Sequence, residues 1–300
     1  MTSACPLARQ PCAAPASPPG RRAPFPLTIP RDCRRLGLLL LPTSIFFAAF
    51  FLLPMVRLFL IGGSGKLGWV AYTAIVTDGV YFRSLLSTLA VAAATTAATL
   101  VISGTAGIFL QRHRFPGNAV LVSLLTFPLA FPGVVIGFMV IMLAGRQGLI
   151  GDLAHALTGE KLVFAYSMAG LFMGYVYFSI PRVILTVMAA AEKLDPHLEE
   201  AARSLGASPW QVVRDVIIPG LKPAFLASGA ICFATAVGAF GTAFTLATRI
   251  NALPMTIYTE FTLSANIAMA AALSFVLGGV TWAVLAAART AAGSSVAAAG

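Results

Sequence analysis

Charge is scarce in this sequence: Asp, Glu, Lys and Arg make up 10% of its 300 residues, while 58% are hydrophobic. Too few polar side chains remain to cover a water-soluble globule of that length, which leaves a membrane protein. Cysteine is also scarce. Cys5, Cys12, Cys33 and Cys232 show no CxxC spacing and no histidine in register, so neither a zinc site nor a disulfide framework is supported. His113, His155 and His197 fall in separate connections, with no HExxH and no triad partner nearby, so metal and nucleophilic catalysis have no constellation to use. The chain is therefore expected not to be an enzyme and to bind no metal or cofactor itself.

Acid is the rarer charge. The ten acidic residues, including Asp78, Asp152, Glu192, Asp195, Asp215 and Glu260, all avoid the middle of an apolar run. Ion-coupled carriers rely on ionisable or unwound sites at the membrane midplane. Their absence argues that energy arrives from outside the bilayer, with a self-contained carrier or channel as the competing reading. The net charge of +10 does not point to nucleic acid, because the basic residues cluster at the ends of apolar segments, where they orient a protein in a bilayer. GGSGK at Gly62 to Lys66 resembles a phosphate-binding loop only superficially. Leu60 stands where the first glycine should be and Leu67 where Ser or Thr should follow the lysine.

Six runs reach the roughly 20 apolar residues needed to cross a hydrocarbon core. They are residues 36–61, 84–110, 119–143, 163–188, 223–247 and 267–288. Residues 1–35, rich in Pro, Ala and Arg, read as a disordered cytoplasmic tail, and 289–300 as a second tail. With both termini cytoplasmic, thirteen basic residues lie inside and six outside, in keeping with the positive-inside bias. Arg57 and Arg182 are expected near span ends, snorkelling to the interface.

Spans three to five are rich in kinking, small and hydroxylated residues. FPLAFPGVVIG carries Pro128, Pro132, Gly133 and Gly137 and should kink or open the third helix. Pro132, Tyr166, Tyr175, Tyr177 and Thr242 are candidates for a solute pathway, with Tyr258 and Glu260 as further contributors. Close helix packing is the ordinary alternative for each.

Between spans four and five lies a charged amphipathic island, residues 194–222. Asp195 and Pro196 supply an N-cap and a first-turn proline, and Leu194, Leu198, Ala201 or Ala202, and Leu205 recur at helical spacing. Glu199, Glu200 and Arg203 fall on other faces. A first helix should stop at Gly206, and Ser208 with Gln211 should open a second through a capping box. Trp210, Val213 and Ile217 would form the apolar stripe of that helix, and Pro219-Gly220 would end it. Gly206-Ala207 is the linker.

Within this island, Glu200-Ala201-Ala202, three residues, Gly206, nine residues, and Val216-Ile217-Ile218-Pro219 resemble the EAA loop of ATP-binding-cassette (ABC) importer permeases, E-A-A-x3-G-x9-I-x-L-P. Val216 and Ile218 stand for the motif's Ile and Leu. The resemblance implies an all-α polytopic membrane protein with six transmembrane helices, the type I ABC importer permease fold, in the bacterial inner membrane. Residues 84–288 would form the permease core. It also implies a coupling surface for a cytoplasmic ABC ATPase dimer at Leu198, Glu199, Glu200, Ala201, Ala202, Leu205, Gly206, Ala207 and Pro219, with Glu200 meeting a basic residue of the ATPase. ATP and Mg would sit on that partner. A second permease subunit, more readily a different chain than a copy of this one, and a periplasmic solute-binding protein would complete the machine. GAFGTAFTLAT (238–248), LPMTIYTEF (253–261) and AAALSFVLG (270–278) are similar to the spermidine/putrescine-type permeases, and related permeases for ferric iron and phosphonates share much of that pattern.

Overall fold

The computed structural model describes residues 32–113, 115–246 and 252–292, and among these every regular element is a helix. Most of both expected tails (1–31 and 293–300), the last residue of the expected fifth span, Ala247, and the basic residues Arg114 and Arg249 lie outside the described residues. The chain divides into two units, Met1–Leu52 and Leu53–Gly300. In the first, α1 (Asp32–Phe47) runs into a π-helical turn at Ala48–Leu52. The second holds α2 (Leu53–Gly62), α3 (Ala71–Thr77), α4 (Gly79–Arg112), α5 (Asn118–Thr126), α6 (Gly133–Ala144) and α7 (Leu149–Thr158). It continues with α8 (Met168–Glu192), α9 (Pro196–Ser204), α10 (Pro209–Val212), α11 (Ile218–Gly238), α12 (Phe240–Leu246), α13 (Leu253–Thr262) and α14 (Ile267–Ala292).

Six stretches among the described residues are long and apolar enough to cross a membrane: Leu40–Gly62, Gly79–Arg112, Gly133–Thr158, Met168–Glu192, Pro209–Gly238 and Ile267–Thr290. The third departs most from the sequence expectation. Instead of one helix over 119–143, α5 gives way to a 3-10 turn at Phe127–Ala130, and α6 starts afresh at Gly133. Pro128 and Pro132 donate no N–H, and Pro132 forces Phe131 into an extended conformation (φ −99°, ψ 137°). The apolar crossing is displaced towards α6 and α7 as a result. The fifth run also breaks, at Ala239 between α11 and α12.

In the second unit α4 packs along α8, α11 lies against both, and α14 packs on α11 and α2. Small residues make these approaches possible. A Cβ on Gly107 would stand 3.1 Å from Val187 Cγ1, and one on Gly104 would stand 2.8 Å from the Phe225 ring, so α4 meets its neighbours at close range. Two apolar cores result. One gathers Leu171, Tyr175, Val237, Leu246, Leu253 and Leu273; the other gathers Val183, Val187, Val212, Ile217 and Leu221 under the two short island helices.

Candidate functional site

The island folds as its local signals dictate. Asp195 accepts a hydrogen bond from the His197 N–H (2.9 Å) and Pro196 opens α9. At the other end Gly206 adopts φ +87°, a left-handed conformation that a Cβ would strain. The Gly206 N–H bonds the Arg203 carbonyl (2.9 Å) and the Ala207 N–H bonds the Ala202 carbonyl (3.1 Å). Those two bonds are a Schellman closure, which satisfies the last carbonyls of α9. One residue later Ser208 and Gln211 form a reciprocal capping box: the Ser208 N–H donates to Gln211 Oε1 at 2.7 Å, and Ser208 Oγ accepts from the Gln211 N–H at 3.4 Å.

The second island helix differs from expectation at its far end. Pro219-Gly220 does not terminate it. A π-helical turn at Val213–Ile217 precedes the proline, and the helix continues without interruption into α11. Proline removes an N–H from the helical ladder, and a π turn is one of the few ways to absorb that loss without ending the helix. The extra residue also resets the face. Val212, Ile217 and Leu221 are buried at steps of five and four, whereas Trp210, expected in the apolar stripe, is 69% exposed. The second island helix is therefore the first part of span five.

Both short helices are seated on the second of the two apolar cores. Ala202, Ala207 and Val213 pack against the cluster containing Val187, Ala191 and Val212. A Cβ on Gly220 would stand 2.5 Å from Leu194 Cδ1, so the turn after α8 rests directly on the start of α11. Glu200, the acid of the motif, and its neighbour Glu199 point apart. Glu199 turns inward to an ion pair with Arg112, the last residue of α4, with both side chains mostly buried. Glu200 turns outward, its side chain 74% exposed and accompanied by His197 Nδ1 at 3.3 Å. A polar recess of about 550 Å³ lies between them, lined by Arg112, Glu192, Glu199, Glu200 and Arg203. Elsewhere on the island Leu198, Leu205 and Trp210 are exposed, Leu205 by 89%.

The pathway candidates do not converge on one opening. Tyr175 is buried and donates to the Ala239 carbonyl (2.8 Å), at the break between α11 and α12. Thr242 is buried and donates to the Gly133 carbonyl (3.0 Å), where α6 restarts. Both satisfy backbone groups freed by helix breaks, a requirement at membrane depth. Tyr166 packs on the larger core just before α8. Pro132 caps α6, and Pro132 and Tyr177 are exposed. Tyr258 meets the Phe240 ring at a tilt and the Phe244 ring edge-on, and Glu260 accepts from the Tyr81 hydroxyl at 3.0 Å.

Arg182 is not near an end of its helix. The helix that carries it runs on to Glu192, four residues beyond the expected boundary, and places Arg182 close to its middle. The sequence reading also missed Arg112 as a partner of Glu199. Its position at the end of a basic-capped span was visible, but the pairing joins residues far apart in the chain.

Residues 103–291 match the family described as the binding-protein-dependent transport system inner membrane component. The chain is 32% identical over 222 residues to a chloroplastic sulfate permease of Chlamydomonas reinhardtii, covering 72% of this chain and 59% of that protein. It is 29% identical over 251 residues to a Salmonella typhimurium protein named for 2-aminoethylphosphonate transport, covering 82% of this chain and 88% of the relative. Among solved structures, a bacterial ABC transporter involved in alginate import superposes with a TM-score of 0.75 at 16% identity, covering 87% of this chain and 97% of that one. That likeness gives the fold. The chain belongs to the family of binding-protein-dependent transport system inner membrane components.

Proposed function

We propose that this chain is the transmembrane permease subunit of an ABC importer, forming part of the solute path and transmitting the work of a cytoplasmic ATPase to it. The observation that carries the reading is the construction of residues 195–221. A sharply closed short helix exposes Glu200, Leu198 and Leu205, and a second helix continues straight into a membrane span. A push on α9 is thereby passed to α11 through the closed Gly206-Ala207 linker, and to α4 through the Arg112–Glu199 pair. In this reading the island faces the cytoplasm of a bacterial cell with both termini on that side. Leu198, Glu200, Ala201, Leu205 and Gly206 meet an ATPase dimer that binds ATP and Mg. A second permease subunit and a periplasmic solute-binding protein complete the complex, and this chain performs no catalysis.

For the solute, the polyamine assignment rests on residues 238–248, 253–261 and 270–278, and Ala247 and Thr248 lie outside the described residues. Relatives named for sulfate and 2-aminoethylphosphonate give it no support. Both of those solutes carry an oxyanion group at neutral pH, so a solute with such a group suits this chain better than spermidine or putrescine.

The test is coupling. Glu200→Lys and Gly206→Pro should each abolish uptake and uncouple ATP hydrolysis while membrane insertion persists. Normal transport in both variants would sink the assignment.

A further inference from the structure

Arg182 occupies a costly position. In α8 it lies 14 residues after Met168 and 10 before Glu192, about 21 Å from one end and about 15 Å from the other. Snorkelling would carry its guanidinium towards Glu192, the nearer end. It turns the other way. The guanidinium carbon sits 4.6 Å from the centre of the Phe178 ring, one turn back towards the helix N-terminus, and Nη1 donates to Thr235 Oγ1 of α11 at 3.4 Å. That direction follows from the tilt of helical side chains, and it holds the charge at the level of the helix centre.

Among the described residues no carboxylate answers this charge. The helices packed around it, α4, α8 and α11, contain one acid between them, Glu192 at the far end of α8. Arg182 is nonetheless exposed on the surface of the chain. It edges a small recess between α8 and α11 lined also by Ser179, Thr186, Ser228 and Thr235, of which Thr186, Ser228 and Thr235 donate their hydroxyl protons to carbonyls of their own helices. A charged residue at this depth faces a bundle interior or a water-filled cavity rather than lipid. A fixed guanidinium with donors to spare and no acid beside it is the chemistry that recognises a sulfate- or phosphonate-like oxyanion.

We propose that Arg182 is the anion-recognition residue of the solute path, with Thr235 orienting it, and that the cargo is a small oxyanion. The proposal rests on the importer reading above. Phe178 holds the guanidinium by a cation–π contact, so its donors stay available for a passing ligand.

The experiment uses the full importer complex in right-side-out membrane vesicles, with Cys5, Cys12, Cys33 and Cys232 replaced by alanine. Thr235→Cys is exposed to an anionic (sulfonatoethyl) and a cationic (trimethylammonioethyl) methanethiosulfonate of similar size, with and without ATP. The anionic reagent should react faster relative to the cationic one, and adding Arg182→Gln should lower that preference about tenfold. Ile231→Cys, on the same exposed edge, repeats the measurement should the first variant assemble poorly. Equal rates with Arg182 present, or no labelling at either position in either condition, overturns the proposal. Sulfate and spermidine uptake are measured in the same complex. ATP-driven spermidine uptake that is indifferent to Arg182→Gln defeats the oxyanion proposal and leaves the importer standing. Absence of any ATP-driven uptake or solute-stimulated hydrolysis defeats the importer reading itself.

Discussion

Arg112, at the last turn of α4, forms an ion pair with Glu199, at the first turn of α9, so the second membrane span is tied to the first helix of the island. The side chains are 20% and 13% exposed, so the pair is screened less than a surface bridge. Removing one partner leaves a largely desolvated charge and should cost about 1–3 kcal/mol locally, below the cost for a fully buried pair. Glu199→Gln and Arg112→Gln should each speed hydrogen exchange across 196–204 and lower uptake per ATP hydrolysed. The reversed pair, Arg112→Glu with Glu199→Arg, should recover part of both. Exchange rates unchanged in the single variants would show that the pair does not hold α9.

Gly206 should resist substitution for a conformational reason. A methyl group added there would meet nothing within 4 Å, so space is not the issue; the φ of +87° is. Gly206→Ala should cost about 1 kcal/mol, and Gly206→Asn less, because asparagine tolerates the left-handed region better. Thermal unfolding of the purified complex, read alongside transport, should rank the variants Gly, Asn, Ala, Pro. Alanine equal to glycine in both assays would contradict the ranking.

Gly137 is limited by space instead. A Cβ there would fall 1.6 Å from Thr245 Oγ1 and 2.8 Å from Thr245 Cβ, and Thr245 lies on α12. Gly137→Ala should push α6 and α12 apart and reduce the yield of monodisperse protein. Pairing it with Thr245→Ala should rescue only in part, because the Thr245 Cβ remains in the way. Full recovery would mean that the hydroxyl alone sets the contact.

Tyr175 and Thr242 should behave as structural residues. Tyr175→Phe orphans the Ala239 carbonyl and should cost about 1–3 kcal/mol, seen as a lowered melting temperature. The KM for the solute should stay as it is in the parent. A changed KM at unaltered stability would return Tyr175 to the solute path.

The sequence made the crossings, the island and its caps legible because those features are local. Asp195 with His197, Ser208 with Gln211, and Gly206 with Arg203 each close within three residues, so residue type and spacing are enough. The same locality misled at Pro219. A proline after a short apolar stripe normally ends a helix, and only the packing of Val212, Ile217 and Leu221 on one core explains why a π turn carries the chain onwards. The EAA spacing singled out Glu200 as the outward-facing acid but said nothing of the adjacent Glu199, which turns inward. That choice required Arg112, 87 residues earlier in the chain, to arrive beneath Glu199. Likewise, hydropathy counted the spans but ended the fourth four residues short of its helix, and so put Arg182 nearer the helix end than it lies. Apolarity of a segment decides that it enters the bilayer. Which of its polar atoms meet a carbonyl, a counter-charge or open space is decided by residues distant in sequence, and those meet only when the helices pack.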